Sequence, residues 1–174
     1  NALAVTPEGR IVAGGNFTTF NGSGAGKYVT ILNPDGTREP LFVSQSDGAV
    51  TSITVQPDGR ILLGGTFTYQ GAVRNVRIFP NGMRDYTYAS SVVVSSSVIN
   101  RILLLADGRI ILVGANMGSP ASSGLMAVNP DGSSIRNITG GVHMDAHQFV
   151  NGQILTLLQN SPYLVLRNLD STFT

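Results

Sequence analysis

The chain has 174 residues, 12% of them charged and 42% apolar, with 11 Lys and Arg set against 10 Asp and Glu for a formal net charge of +1. That length and apolar content fit one domain with a substantial core, while so small and scattered a charge excludes the basic patch that nucleic-acid binding needs and the basic face of a membrane-surface segment. With no cysteine there is no disulfide, thiolate metal site or cysteine nucleophile, although an extracellular home remains open to a domain of this size. No apolar run approaches the roughly 18–20 residues of a membrane-spanning helix, so membrane insertion is not expected. The surface must be built of Ser, Thr, Asn and Gln, a neutral coat that fits a secreted protein. The chain starts at Asn1 rather than Met, which predicts a processed protein, a lost signal peptide included, or an excised piece of a longer one.

In chain order, the same unit recurs. The first carries Leu3 and Val5 two residues apart, a turn at Thr6-Pro7-Glu8-Gly9, an apolar run ending in Gly14-Gly15, and a second turn at Asn33-Pro34-Asp35-Gly36. In the second, strands are predicted over Val50–Val55, Arg60–Phe67, Asn75–Phe79 and Met83–Ala89, with turns at Gln56-Pro57-Asp58-Gly59 and Phe79-Pro80-Asn81-Gly82. The third repeats this through Ile102 and Leu104, the turn ending at Gly108, the run Ile110-Ile111-Leu112 and Asn129-Pro130-Asp131-Gly132. The fourth is degenerate, with Leu157-Leu158 in place of the Gly-Gly pair and a shortened end.

The turn glycines Gly9, Gly59, Gly108 and Gly152 fall at intervals of 50, 49 and 44 residues, and Gly36, Gly82 and Gly132 at 46 and 50. In Pro-Asp-Gly, Pro presets the first corner of a type I turn, Asp tolerates the second and Gly supplies the positive φ that follows, joining two antiparallel strands. Apolar residues two apart before the turn mark one face of a strand, and the continuous apolar triplets after it mark strands covered on both faces. Helical periods are few, and Gly, at 21 residues, recurs too densely with Pro for long helices. The fold class is therefore all-β. Four strands per unit of about 45 residues is the pattern of a β-propeller blade, since solenoid rungs are shorter and are not paired antiparallel hairpins. The expected architecture is a single domain over 1–174, with blades at about 1–46, 47–95, 96–140 and 141–174.

Residues 2–36 and 53–82 carry an apolar strand, Pro-Asp-Gly-Arg or its variant, an apolar triplet with Gly-Gly, Phe-Thr, an Asn-Gly or its variant, and a closing Asn-Pro-Asp-Gly or its variant Phe-Pro-Asn-Gly. In this they resemble the delta-60 repeat, a β-propeller-type repeat of bacterial secreted and surface proteins. The resemblance is strong in the first two units, partial in the third, where Val113 stands in place of Gly64, and weak in the fourth. It implies a propeller fold in a large secreted or surface protein, with no common catalytic activity and no active-site residues to carry over.

The glycine-rich segment 14–26 lacks the Gly-Lys-Ser/Thr and the following helix of a phosphate loop. Asp35, Asp58, Asp107 and Asp131 are explained by their turns, and a calcium-hand spacing is absent. Both histidines lie in His143-Met144-Asp145-Ala146-His147, on the innermost strand of the fourth unit. A period of two would put His143, Asp145 and His147 on one face, as weak metal candidates, although successive positions about 6.5–7 Å apart let one ion reach two of them more easily than three. The alternative is hydrogen bonding to a neighbouring blade, and Arg101, at the position equivalent to Asp145, could form an inter-blade ion pair. No Gly-x-Ser-x-Gly elbow marks a nucleophile, and the two glutamates, Glu8 and Glu39, are poorly placed for glycoside hydrolysis.

Aromatics in or beside the variable connection between second and third strands, Phe20, Tyr28, Tyr69 and Tyr163, are the expected ligand contacts, because variable loops on a constant scaffold carry binding. Phe17, Phe42, Phe67 and Tyr88 recur in register and read as core. The leading expectation is a non-catalytic module of a secreted or cell-surface bacterial protein, or of a phage fibre, that binds a glycan or protein ligand without a cofactor. The alternatives are a propeller enzyme with a channel site around His143, Asp145 and His147, and a purely structural assembly element. Four units either close alone or share blades with another chain or with further sequence; an unclosed array exposes an apolar face and associates.

Overall fold

A computed structural model describes residues 1–22, 26–89, 97–117, 123–150, 152–159 and 164–168. Among these there is no α-helix, and thirteen strands form four antiparallel sheets. The first sheet is β1 (Ala2–Val5), β2 (Ile11–Gly14) and β3 (Val29–Leu32); the second is β4 (Val50–Val55), β5 (Ile61–Tyr69) and β6 (Ala72–Ile78). The third adds a fourth strand, with β7 (Val98–Leu104), β8 (Ile110–Met117), β9 (Ser123–Val128) and β10 (Ser134–Gly140), and the last is β11 (His143–Gln148), β12 (Ile154–Leu158) and β13 (Leu164–Arg167). Strands pair in sequence order, so every unit is a meander.

The turn chemistry is as the sequence requires. Gly59 and Gly108 have φ of 81° and 84°, and their N–H groups donate back to Gln56 and Leu105 at 2.9 and 3.0 Å. The aspartate before each accepts the N–H two residues on, Asp58 from Arg60 and Asp107 from Arg109, each at 3.0 Å. This local closure fixes the register of the β4–β5 and β7–β8 hairpins.

The sheets stack in chain order, the first on the second, the second on the third and the third on the fourth. Three apolar layers fill the spaces between them: Val12, Val29, Val50 and Ile61 in the first, Leu62, Ile99, Ile102 and Ile110 in the second, and Ile111, Val113, Ala146 and Ile154 in the third. Alternation on β5 explains why Ile61-Leu62-Leu63 is continuous, since Ile61 and Leu63 face the first sheet and Leu62 the third. Among the described residues no contact of comparable extent joins the fourth sheet to the first.

Each layer has the same size exchange. Six residues before its turn glycine, the inner strand presents a knob toward the preceding sheet: Ile53, Ile102 and Ala146. Five residues after its turn glycine, the second strand presents a hole toward the following one: Gly14, Gly64 and Val113. A methyl group at Gly14 would lie 2.7 Å from Val50 Cγ1 and 2.8 Å from Ile53 Cδ1, and one at Gly64 would lie 2.5 Å from Ile99 Cγ2 and 3.0 Å from Ile102 Cδ1. Where the hole is filled by Val113, the opposing knob shrinks to Ala146, and both remain in one cluster. Glycine is thus used here for close approach of sheets, and total side-chain volume is kept level between layers.

The fourth strand predicted at Met83–Ala89 does not form. Within residues 83–89 only an isolated bridge from Arg84 to Ile78 continues the second sheet, because Asp85 turns the chain. Its Oδ1 accepts the N–H and the hydroxyl of Thr87 at 2.9 and 2.6 Å, and its Oδ2 accepts Arg77 Nε at 2.8 Å. Arg77 also donates to the carbonyl of Pro130 at 2.7 Å, tying the second sheet to the far turn of the third. The pattern of four strands per unit therefore holds among the described residues only in the third sheet.

Candidate functional site

The inner strands β4, β7 and β11 are edge strands, and unpaired backbone groups on such an edge need partners. A β-bulge recurs at one place in all three, as register shifts between Val50 and Ser52, Ile99 and Arg101, and His143 and Asp145. Each inserts one residue, Thr51, Asn100 and Met144, and re-aims its side chain. The Thr51 hydroxyl donates to the Ile99 carbonyl, and the Asn100 amide donates to the His143 carbonyl at 2.7 Å. Ser52 Oγ accepts the Ile102 N–H at 2.9 Å, and the Thr54 hydroxyl donates to the Ile102 carbonyl at 2.9 Å. The second sheet thus caps the inner edge of the third, and the third that of the fourth.

These strands surround a polar cavity of about 400 Å³ lined by Asn1, Thr51, Ser52, Asn100, Arg101 and Asp145 among others. The expected ion pair joins the third and fourth sheets, with Arg101 Nε 3.5 Å from Asp145 Oδ1 and both side chains about half exposed. An exposed pair of this kind adds little stability, so its charges remain available to a polar ligand. With the Thr51 and Thr54 hydroxyls committed to the neighbouring sheet, the mouth offers the Arg101 guanidinium and the rest of the Asn100 amide beside the Asp145 carboxylate, a set suited to hydrogen-bonding a hydroxyl-rich or amide-bearing molecule.

The expectation that His143, Asp145 and His147 share a face fails at the bulge. Between His143 and Asp145 the partner strand advances by one residue, from Leu158 to Leu157, so the extra residue reverses the alternation. His143 is fully buried and packs beside Gly124 of β9. Asp145 and His147 pair with Leu157 and Leu155 on the face turned away from the third sheet, and the His147 ring meets Phe149 edge-on at 5.6 Å. Among the described residues no three His, Asp or Glu side chains converge to hold a metal ion.

Of the aromatics, Tyr69 is corrected. β5 runs on to this residue, so the alternation that buries Phe67 buries Tyr69 too, with the rings edge to face at 6.5 Å. Its hydroxyl donates to the Gly82 carbonyl at 2.7 Å, and burial pushes its phenol up to about 12. Tyr69→Phe leaves that buried carbonyl short of a partner and is expected to cost about 1–2 kcal/mol in chemical denaturation, with no effect on ligand contacts. Phe20 and Tyr28 are half-buried beside the β2–β3 connection, and the Lys27 ammonium lies 6.0 Å from the Tyr28 ring centre. Tyr163 lies outside the described residues. Of the residues expected in the core, Phe42, Phe67 and Tyr88 are buried and Phe17 is half-buried. Sequence reasoning passed over Tyr86, which is 73% exposed with the Arg84 guanidinium 4.9 Å from its ring centre; the inward Asp85 beside it was the available signal.

Stacked antiparallel meanders meeting through their inner strands are the construction of a propeller-type repeat. The family described as "Domain of unknown function (DUF5122) beta-propeller" matches residues 6–42 and 56–88, which supports a β-propeller repeat family. No curated protein matches the sequence. Similar solved structures include the extracellular domain of a protein described as a hybrid two component system, BT3049 from B. thetaiotaomicron, at 19% identity and a TM-score of 0.62, covering 99% of this chain and 22% of that one. XC5397 from Xanthomonas campestris, described as a gluconolactonase, is similar at 15% identity and a TM-score of 0.61, covering 95% and 55%. PorZ, a surface component of the type-IX secretion system of Porphyromonas gingivalis, is similar at 14% identity and a TM-score of 0.55, covering 88% and 24%. The chain spans from about a fifth to just over half of the lengths of these structures.

Proposed function

We propose that this chain is a non-catalytic binding or adhesion module of a secreted or cell-surface bacterial protein, and that it contacts a glycan or protein ligand. Its four sheets are read as four blades, at about 1–46, 47–95, 96–140 and 141–174, contributing to a β-propeller. The observation that carries the reading is the polar mouth between the inner strands, where side chains re-aimed by bulges surround the half-exposed Arg101–Asp145 pair. The extracellular and surface settings of two of the similar structures support it, as does the neutral polar surface. Phe20 and Tyr28 flank the connection nearest the first sheet and supply flat apolar area for the same ligand.

The test is binding of the purified chain to an immobilised glycan array, followed by titration of each hit against the double variant Arg101→Ala/Asp145→Ala. A hit weakened about tenfold, the equivalent of roughly 1.4 kcal/mol, supports the mouth as the contact. Turnover of a sugar lactone by the purified chain that disappears in His147→Ala would overturn the non-catalytic reading.

A further inference from the structure

Leu3 stands at the knob position of the first sheet, six residues before Gly9, where Ile53 and Ile102 stand in the next two sheets. Those isoleucines are seated against Gly14 and Gly64, yet Leu3 is 75% exposed, with Val5 beside it at 65%. Ile11 and Ala13 pair with Val5 and Leu3 and so share that face. It is therefore a complete set of knobs turned toward a preceding sheet, continuous in register with the interfaces that already exist between the sheets.

The opposite end of the stack lacks the matching hole. Five residues after Gly152 the fourth sheet presents Leu157, which is 42% exposed on a face shared with Leu155, Leu164 and Leu166. In every formed layer a large knob meets glycine, or a valine meets alanine. If a second copy laid its fourth sheet on Leu3, two leucines would meet at that point, overfilling the layer.

We infer that the face of Leu3 and Val5 docks a further sheet of this same repeat, one whose second strand carries glycine five residues after its turn glycine, and that the fourth sheet of a second copy is excluded by Leu157. The glycine admits the Leu3 side chain as Gly14 admits Ile53, and burial of that side chain supplies the affinity.

Opening the hole in the chain itself tests this. Sedimentation velocity across a concentration series would compare the parent chain with Leu157→Gly and Leu157→Ala, each also carrying Leu3→Ser, with folding checked by circular dichroism. The expected result is head-to-tail association of both Leu157 variants at a concentration at least about tenfold below any seen for the parent, reversed by Leu3→Ser. The alanine variant keeps strand propensity in case glycine weakens β12. Parent assembly that Leu3→Ser abolishes would overturn the inference by showing that Leu157 already admits Leu3. Folded Leu157→Gly and Leu157→Ala chains that sediment like the parent would overturn it too, by showing that the Leu3 face does not respond to a small residue.

Discussion

Asp85→Ala is expected to lower the free energy of unfolding by about 3–5 kcal/mol, the cost of stranding one partner of a buried ion pair. Arg77 is almost fully buried and Asp85 wholly so. Without the carboxylate, the guanidinium keeps Pro130, Thr87 and the Tyr88 ring, 5.0 Å from its centre, but loses the carboxylate that it contacts at 2.8 Å. The turn is lost as well, since Asp85 holds Thr87 by two bonds. Asp85→Asn keeps the shape and removes the charge, so its loss should be smaller than that of alanine.

The pH dependence has a defined sign. Burial disfavours the Asp85 carboxylate, but the Thr87 hydroxyl and N–H and the Arg77 guanidinium outweigh it and hold the carboxyl below its ordinary range. Its contribution is therefore present above the unfolded carboxylate value of about 3.9 and is lost as pH falls through the lower folded value. At the other end, burial pushes the phenols of Tyr69 and Tyr88 up to about 12. Their contribution is complete below about 10, the unfolded value, and is lost as pH rises toward 12. Urea unfolding at pH 7 and at pH 3 should show the parent converging on Asp85→Asn in acid.

Gly64→Val should destabilise by at least about 1–3 kcal/mol, the range for overfilling a packed core. Valine is the better strand residue by up to about 1 kcal/mol, and in open space it would stabilise β5. Here its Cβ alone would lie 2.5 Å from Ile99 and 3.0 Å from Ile102. Both neighbours belong to β7, whose edge is already fixed by Thr51, Ser52 and Thr54. The third sheet cannot withdraw without breaking those bonds, so steric exclusion wins over propensity. Denaturation midpoints of the parent and variant read this directly.

What could be read from the residues divides along physical lines. Pro57-Asp58-Gly59 and its copies announce their turns because the positive φ and the side-chain bond to the next N–H are local properties. The apolar triplets announced strands covered on both faces for the same reason, since a period needs only neighbours in sequence. The Arg101–Asp145 pair was readable from the repeat, because equivalent positions in adjacent units meet. The bulge at Met144 was not, since one inserted residue reverses every following side chain and the inserted residues Thr51, Asn100 and Met144 share no chemistry. Tyr69 was misplaced by one element, although Phe67 and Tyr69 two apart already described a strand that had not ended. The missing fourth strand at Met83–Ala89 joins a local effect to a tertiary one, for Asp85 bends the chain through its bonds to Thr87 while Arg77 on β6 holds the carboxylate inward.

Neighbouring sheets meet through one knob and one hole per layer, and a double-mutant cycle on Gly64 and Ile102 measures that contact. The third layer already shows the rescued combination, Val113 with Ala146. Ile102→Ala alone should destabilise by about 2–5 kcal/mol, as a cavity-forming core truncation. Gly64→Val/Ile102→Ala should be more stable than the sum of the two losses by at least about 1 kcal/mol, because the new methyl groups fill the space the isoleucine vacates. Strict additivity would contradict the account, since it would mean that Gly64 and Ile102 do not share a layer.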